Sequence, residues 1–337
     1  MDNVGKNQLV FNDVFIVSSA SVVGPKENKG PFGKYFDKYY DNLLCNNESS
    51  FEKAEMRMLE DALIISLDKA NLSDKDINCA FSGDLNNQII IGNYVLRNYD
   101  IPYVGIFGAC STSILGIIMG AIYLQNMKGN VICLTSSHNG TSERQFRYPN
   151  EYGAQKAETA TLTVTGASSV ILSNIKNEND IKITKATIGK VIDPKINDIQ
   201  DMGRIMAPSA FNTILDHLNN YDETIDDYDL IVTGDLSKYG SDMLIKLFKE
   251  INIDIKDKYI DAGNCIFDKN KQEVLAGGSG CGCLGVFLSG YLLEKLKNRE
   301  LRKILCVGTG ALLNPVIVCQ KETIPGISHA ITIEVSS

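Results

Sequence analysis

Imidazole is scarce in this chain: 337 residues carry three histidines, His138, His217 and His329. His217 falls in the middle of a helical pattern and His329 near a C-terminal strand, which leaves His138, at a strand end, as the one imidazole placed for chemistry. Long hydrophobic runs are missing too, because Gly, Ser and Asn interrupt the longest of them, and Met1-Asp2-Asn3-Val4-Gly5-Lys6 starts no secretory segment. A soluble or peripherally attached chain is expected. Positive charge is in deficit, 33 Lys and Arg against 41 Asp and Glu, which excludes a broad nucleic-acid footprint but leaves room for a small anion held locally. No basic amphipathic helix offers lipid contact. Cys281-Gly282-Cys283 is the only close cysteine pair, and without a second pair or clustered His it reads as tight helix packing rather than a zinc site. Asp84, Asp235 and the acidic cluster Asp222-Glu223 with Asp226-Asp227 show no calcium-loop spacing. No metal site and no cofactor are expected. Low-complexity segments and linkers are absent as well.

What is present suits a buried core in a reducing compartment. Apolar residues make up 44% of the chain, and the nine cysteines, an odd number, lie mostly inside apolar runs where a reduced thiol behaves as a small hydrophobe. The organising stretch is Gly108-Ala109-Cys110-Ser111-Thr112-Ser113, between the β-rich run 102–107 and an almost wholly apolar helix over 114–124. A strand, a small-residue corner and a helix lift the Cys110 thiol onto a nucleophile elbow, where the helix N-terminus is expected to tilt it toward thiolate and to welcome an anion. The layout recurs at 278–293, with Ser279 falling on Cys110 and Gly285 on Gly116. Upstream, Phe81-Ser82-Gly83-Asp84-Leu85 is matched by Val232-Thr233-Gly234-Asp235-Leu236; downstream, 131–137 answers 304–309. Three matched segments in one order indicate an internal duplication.

Read in order, Leu9-Val10-Phe11 and 14–17 form a strand pair, 48–71 a helix, 79–82 a strand, 85–99 a helix and 102–107 the strand before the elbow. That alternation specifies a parallel, helix-covered sheet. Residues 138–158 have no clear periodicity yet carry two Arg, one His and three aromatics, which marks a functional loop. A strand pair over 161–172 closes a first half, 1–175, and a second half, 176–337, follows: a strand over 182–191, a helix over 209–218, a strand at 230–233, a helix over 243–251, and 304–307, Ile317 and 331–335 completing its sheet. Asp84 and Asp235, each following Gly at equivalent turns, are expected to cap helices.

Two βαβ-rich halves with a Cys elbow in the first resemble the thiolase/ketoacyl-synthase superfamily over nearly the whole chain. Within it, Gly108-Ala109-Cys110-Ser111-Thr112, Ser136-Ser137-His138, Ser142-Glu143-Arg144-Gln145-Phe146-Arg147-Tyr148-Pro149, Ala276-Gly277-Gly278-Ser279-Gly280-Cys281-Gly282 and Gly308-Thr309-Gly310-Ala311-Leu312 are similar to the stage V sporulation protein AD family of spore-forming bacteria. The Ser-Glu-Arg-Gln-Phe-Arg block is the specific part; the elbow alone reaches only the superfamily. The resemblance implies an α/β fold, a five-layer α/β/α/β/α sandwich of two pseudo-symmetric halves, with Cys110 and Ser279 meeting near the pseudo-dyad. It also implies a homodimer joined through the first half's edge strand, and a function: binding dipicolinate, free or calcium-bound, for uptake into the developing spore, beside stage V sporulation membrane proteins that would attach it to the inner spore membrane.

The departures from the condensing enzymes point away from catalysis. Those enzymes place His/His or His/Asn from the second half around the nucleophile, whereas Gly234 and Gly277-Gly278-Ser279-Gly280 stand at the matching places here. The expected ligand-binding set is Cys110, Ser137, His138, Arg144, Arg147, Gly278 and Ser279, with the elbow taking one carboxylate and His138, Arg144 and Arg147 the other. The alternative is an acyltransferase with Cys110 as nucleophile and Cys306, ahead of Gly308-Thr309-Gly310, as acid/base; inside Ile304-Leu305-Cys306-Val307, Cys306 also reads as a core thiol.

Overall fold

Alternating β-rich and helical runs build two sheets on one plan in the computed structural model, which describes residues 5–146, 156–175 and 180–336. The first sheet comprises β1 (Phe15–Val23), β2 (Ile77–Asp84), β3 (Tyr103–Gly105), β4 (Asn130–Ser137) and β5 (Gly166–Ser173). The second comprises β6 (Ile181–Ile188), β7 (Leu230–Thr233), β8 (Tyr259–Asp261), β9 (Lys303–Ala311) and β10 (Gly326–Val335). Their orders are β3-β2-β4-β5-β1 and β8-β7-β9-β10-β6. The pairings match as well: β2 runs parallel to β3 and β4, and β7 to β8 and β9, while the last strand of each half is antiparallel to both neighbours. The sequence repeat is therefore a repeat of topology. The first strands of the two halves meet at Phe15 and Lys182, joining the sheets edge to edge.

Helices fill the remaining layers. On one outer face lie α1 (Phe51–Ala70), whose Ser50 cap accepts a hydrogen bond from the Lys53 amide, and α2 (Ile90–Leu96). Met58, Leu59, Leu63 and Ile91 from this pair pack on Ala80, Ile132, Leu134 and Ile171 of the sheet. The other outer face carries α5 (Met202–Tyr221) and α6 (Ser237–Glu250), packed through Ile205, Ile214, Leu244 and Phe248 onto Ile231, Leu305 and Val307. Between the sheets run α3 (Thr112–Leu124) and α7 (Cys281–Val286), the latter continuing through a π-helical turn, Phe287–Leu292, into Leu293–Lys297. A helix apolar on every side has to be buried on every side. Ile114, Ile117 and Ile118 of α3 are 0–1% exposed, each contributing roughly 2 kcal/mol by leaving water, and they pack in one cluster with Val232, Cys306 and Ile331 of the second half. The result is a five-layer α/β/α/β/α sandwich.

Several expected elements differ. Gln8–Val10 pairs with β6 of the second half rather than with 14–17, tying the N-terminal segment across the molecule. Residues 161–172 are not one strand pair: Leu162–Thr163 pairs with Gly278–Ser279, bridging the halves beside the elbow, while β5 pairs within its own sheet. The helix expected over 209–218 begins seven residues earlier and holds Pro208 inside it. Proline reads as a helix stop because it lacks an N–H, yet here the buried face on both sides of it carries the helix through. The segment around Ile317 is a short helix, Pro315–Cys319, capped by the Asn314 side chain, not a strand. Part of the expected functional loop is a helix, α4 (Asn139–Phe146).

Candidate functional site

The corner that carries Cys110 is fixed by its own hydroxyls. Ser111 Oγ donates to the Gly108 carbonyl at 2.6 Å, and Thr112 Oγ1 donates to the Ala109 carbonyl at 2.6 Å while accepting from the Gly108 amide at 3.0 Å. Ala109 takes a left-handed φ of 50°, a conformation costly for a residue with a Cβ, so the sharp turn is held by its surroundings. Those surroundings are β9: a Cβ on Gly310 would stand 2.6 Å from the Gly108 carbonyl, and one on Gly308 2.9 Å from Ile114 Cβ. The first half's elbow thus rests directly on second-half backbone.

Cys110 opens into a narrow cleft. Leu85, Phe107, Ala109, Ser142 and Phe146 line it from the first half together with Thr163; Met202, Ser279, Gly280, Ala311 and Leu313 line it from the second. The cavity volume is about 30 Å³, room for a water molecule or two. No Lys, Arg or His is among these described lining residues. Ser279 faces the cleft as the symmetry argument expected, its hydroxyl accepting from Thr161 Oγ1 at 2.8 Å.

Beneath the thiol lies a carboxylate. Asp235, just past the end of β7, accepts the Thr309 hydroxyl at 2.5 Å and the Gly280 amide at 3.1 Å, and its carboxylate acts electrostatically on the Cys110 thiol. Burial pushes its pKa up to about 6 against the opposing pull of Thr309, Cys110 and the Gly280 amide. The same burial raises the Cys110 thiol well above its ordinary value; the Asp235 charge and hydrogen bond and the nearby Cys281 thiol add to the shift, and the Gly280 amide opposes it. The helix-dipole expectation of a thiolate is therefore overturned, because a fully desolvated sulfur beside an acid outweighs about half a charge at a helix end.

Asp235 was expected as a helix cap, and that too is corrected: the first amides of α6, Leu236 and Ser237, donate to Asp261 at 2.9 and 2.8 Å. Asp84 does cap α2, accepting from the Ile91 and Gly92 amides at 3.1 and 3.3 Å. The repeated Gly-Asp pair was the signal available for Asp235, but its partners lie 45, 74 and 125 positions away (280, 309 and 110 against 235) and no local pattern names them.

The other expected site residues are placed elsewhere. His138 is fully buried; its ring stacks on Phe51 at 5.1 Å, Nε2 donates to the Leu43 carbonyl at 2.8 Å and Nδ1 accepts from the Gly140 amide at 3.0 Å. Burial lowers its pKa, so it is a neutral ring spanning backbone groups, not a carboxylate ligand in the cleft. Ser137 pins the halves together, donating to the Val164 carbonyl at 2.7 Å and accepting from the Gly282 amide at 3.1 Å. Gly278 is needed for packing, since its Cβ would lie 2.8 Å from Ile266 Cγ2. Cys306 sits fully buried in the middle-layer core, away from the cleft lining, with its thiol pKa raised by burial. Arg144 is 59% exposed and ion-paired with Glu52, and Arg147 lies outside the described residues. Replacing Arg144 with alanine should change stability by less than about 1 kcal/mol and ligand affinity by less than about twofold, as thermal denaturation and titration would show.

The fold is of the thiolase/ketoacyl-synthase type, and its elbow cysteine lies beside an aspartate. Solved structures agree at the level of fold. The 3-oxoacyl-[acyl-carrier-protein] synthase III of Aquifex aeolicus VF5 superposes with a TM-score of 0.60 at 13% identity, covering 95% of this chain and 99% of its own. Human mitochondrial 3-ketoacyl-CoA thiolase in complex with CoA gives 0.60 and 13%, covering 96% and 98%. The family model for stage V sporulation protein AD matches residues 5–334. Stage V sporulation protein AD of Bacillus subtilis (strain 168) is 45% identical over 336 residues, 99% of this chain and 98% of that protein. The chain belongs to the stage V sporulation protein AD family.

Proposed function

We propose that this sporulation protein binds dipicolinate in the Cys110 cleft without catalysing a reaction, for uptake of the compound into the developing spore. The observation that carries this reading is the burial of the Cys110 thiol beside Asp235: where acyl transfer needs a thiolate and donors for an oxyanion, burial first and the neighbouring carboxylate second hold the thiol neutral. The apolar slot between Leu85, Phe107, Phe146, Met202 and Leu313 suits a flat ring. A lining whose described residues carry no cation, set over a buried carboxylate, favours the electrically neutral calcium complex over the free dianion. At about 30 Å³ the slot admits the ring only when a wall side chain moves, and Phe107, 53% exposed at the rim, is the side chain free to do so. The same reading includes a homodimer joined through β3, whose edge exposes Val104, and membrane proteins of the same sporulation stage as partners. Among the described residues no helix is long and apolar enough to cross a membrane.

Acyl transfer through Cys110 is the rival reading, and the fold likeness is what favours it. Incubation with an acyl-coenzyme A separates the two. A binding protein releases no free coenzyme A and forms no thioester at Cys110; release above the uncatalysed rate makes the protein an enzyme.

A further inference from the structure

Ser142 projects from α4 into the cleft, and its hydroxyl has no hydrogen-bond partner although the residue is only 4% exposed. A buried hydroxyl left unpaired costs free energy, and natural folds tolerate one where it has something to meet. The hydroxyl is also held firmly in place. Gln145 on the same helix donates from Nε2 to the Leu85 carbonyl at 2.7 Å and accepts the Asn87 amide at 3.1 Å. Thr141 donates to the buried Glu55 carboxylate at 3.0 Å and to the His138 carbonyl at 3.0 Å. The Ser142 amide donates to the His138 carbonyl at 3.1 Å. Thr141 and Gln145, on either side of Ser142 on α4, are thus engaged with protein; Asn139 Nδ2 is likewise buried without a partner but lies outside the cleft lining, which from α4 takes only Ser142 and the apolar Phe146.

The other side-chain polar groups of the lining are Cys110, Ser279 and Thr163, and only Ser142 carries a hydroxyl that is buried without any partner. Cys110 lies under the influence of the Asp235 carboxylate, and Ser279 Oγ accepts from Thr161 Oγ1. Asp235 repels an anionic group placed beside Cys110, so a neutral donor elsewhere on the wall is wanted, and Phe146, one turn on from Ser142, forms the adjoining apolar wall. We propose that the Ser142 hydroxyl is the donor for a carboxylate oxygen of the bound ligand, whose ring lies along Phe146 with an acid group toward α4. Serine supplies this contact without adding a charge to the slot.

The inference rests on the ligand-binding reading, and one experiment separates the two. Wild-type protein and Ser142→Ala are titrated with calcium dipicolinate by calorimetry, and the unfolding of both is measured without ligand. Loss of a hydrogen bond to a charged acceptor should weaken binding by about tenfold or more, while the ligand-free variant should be as stable as wild type or more so, because an unpaired buried hydroxyl has been removed. Equal affinity of the two proteins overturns the proposal, as does a ligand-free variant that melts earlier, which would show that the hydroxyl has a structural partner. If the wild type itself shows no saturable binding, the binding reading fails, and this proposal with it.

Discussion

Cys110 is expected to resist alkylation by iodoacetamide at pH 7.5, reacting at least about tenfold more slowly than a free cysteine, whose pKa near 8.5 leaves roughly a tenth of it as thiolate. The cause is electrostatic as well as steric. The sulfur is only 8% exposed, and its ionised form would sit unscreened beside the Asp235 carboxylate. Asp235→Asn distinguishes the two causes. An amide is of nearly the same size, so access is unchanged while the like charge is gone. The variant's Cys110 should react about tenfold faster than the wild-type thiol, the size of effect a neighbouring charge has on a pKa. Mass spectrometry of the Cys110 peptide over time reads both rates. An unchanged rate in Asp235→Asn would mean that burial alone suppresses the thiol and that the aspartate has no part in making it idle.

The second large effect is a fall in stability on the alkaline side of pH 6. Glu27 is fully buried; one carboxylate oxygen accepts the Thr165 amide at 2.9 Å and the other has no partner. Burial raises its pKa to about 7. For an acid whose folded-state pKa exceeds its unfolded value, the folded state holds the proton to higher pH. The stabilisation is fully present below about 4.5 and is lost as pH rises through 7. Wild type should therefore lose about 2 kcal/mol relative to Glu27→Gln between pH 5 and 8, measured by urea denaturation of both proteins at each pH. Asp235, at about 6, and Asp261, at about 7, are raised by burial and act in the same direction. The histidines act oppositely. Burial lowers His138, takes His217 to about 3 and takes His329 to about 4, so their contribution is present above 6.5 and is lost as pH falls below it. Glu55, at about 8, and Asp84, at about 6, add to the alkaline loss, so stability should fall as pH rises through 7, and the histidines oppose this only below 6.5. Parallel pH profiles for wild type and Glu27→Gln would show that Glu27 is not charged by alkali in the folded protein.

The parts of this protein legible in sequence were those written locally. The elbow is a run of adjacent residues, and the duplication is three short segments in the same order. The wholly apolar α3 announces that it lies between layers. Parts set by contacts distant in the chain were not legible. Arg144 looked like an anion ligand because nothing nearby in sequence pairs with it; Glu52 does so from α1. His138 looked available because its stacking partner Phe51 and its acceptor Leu43 lie 87 and 95 positions earlier. The helix α4 was missed for a different reason: over eight residues its buried face is Thr141 and Ser142, polar groups that leave no hydrophobic period to detect. Those two hydroxyls, one bonded to Glu55 and one unpaired, turn a stretch that reads as loop into a wall of the site.

The central claim, an elbow that holds a ligand instead of attacking one, is tested most directly by calorimetric titration of calcium dipicolinate and free dipicolinate into wild type, Cys110→Ala and Cys110→Leu. A non-covalent site predicts saturable binding to wild type, tighter with calcium; retention in Cys110→Ala, which removes only the sulfur; and abolition in Cys110→Leu, whose larger side chain occupies the slot. Binding that survives unchanged in Cys110→Leu, or is absent from wild type, would contradict it.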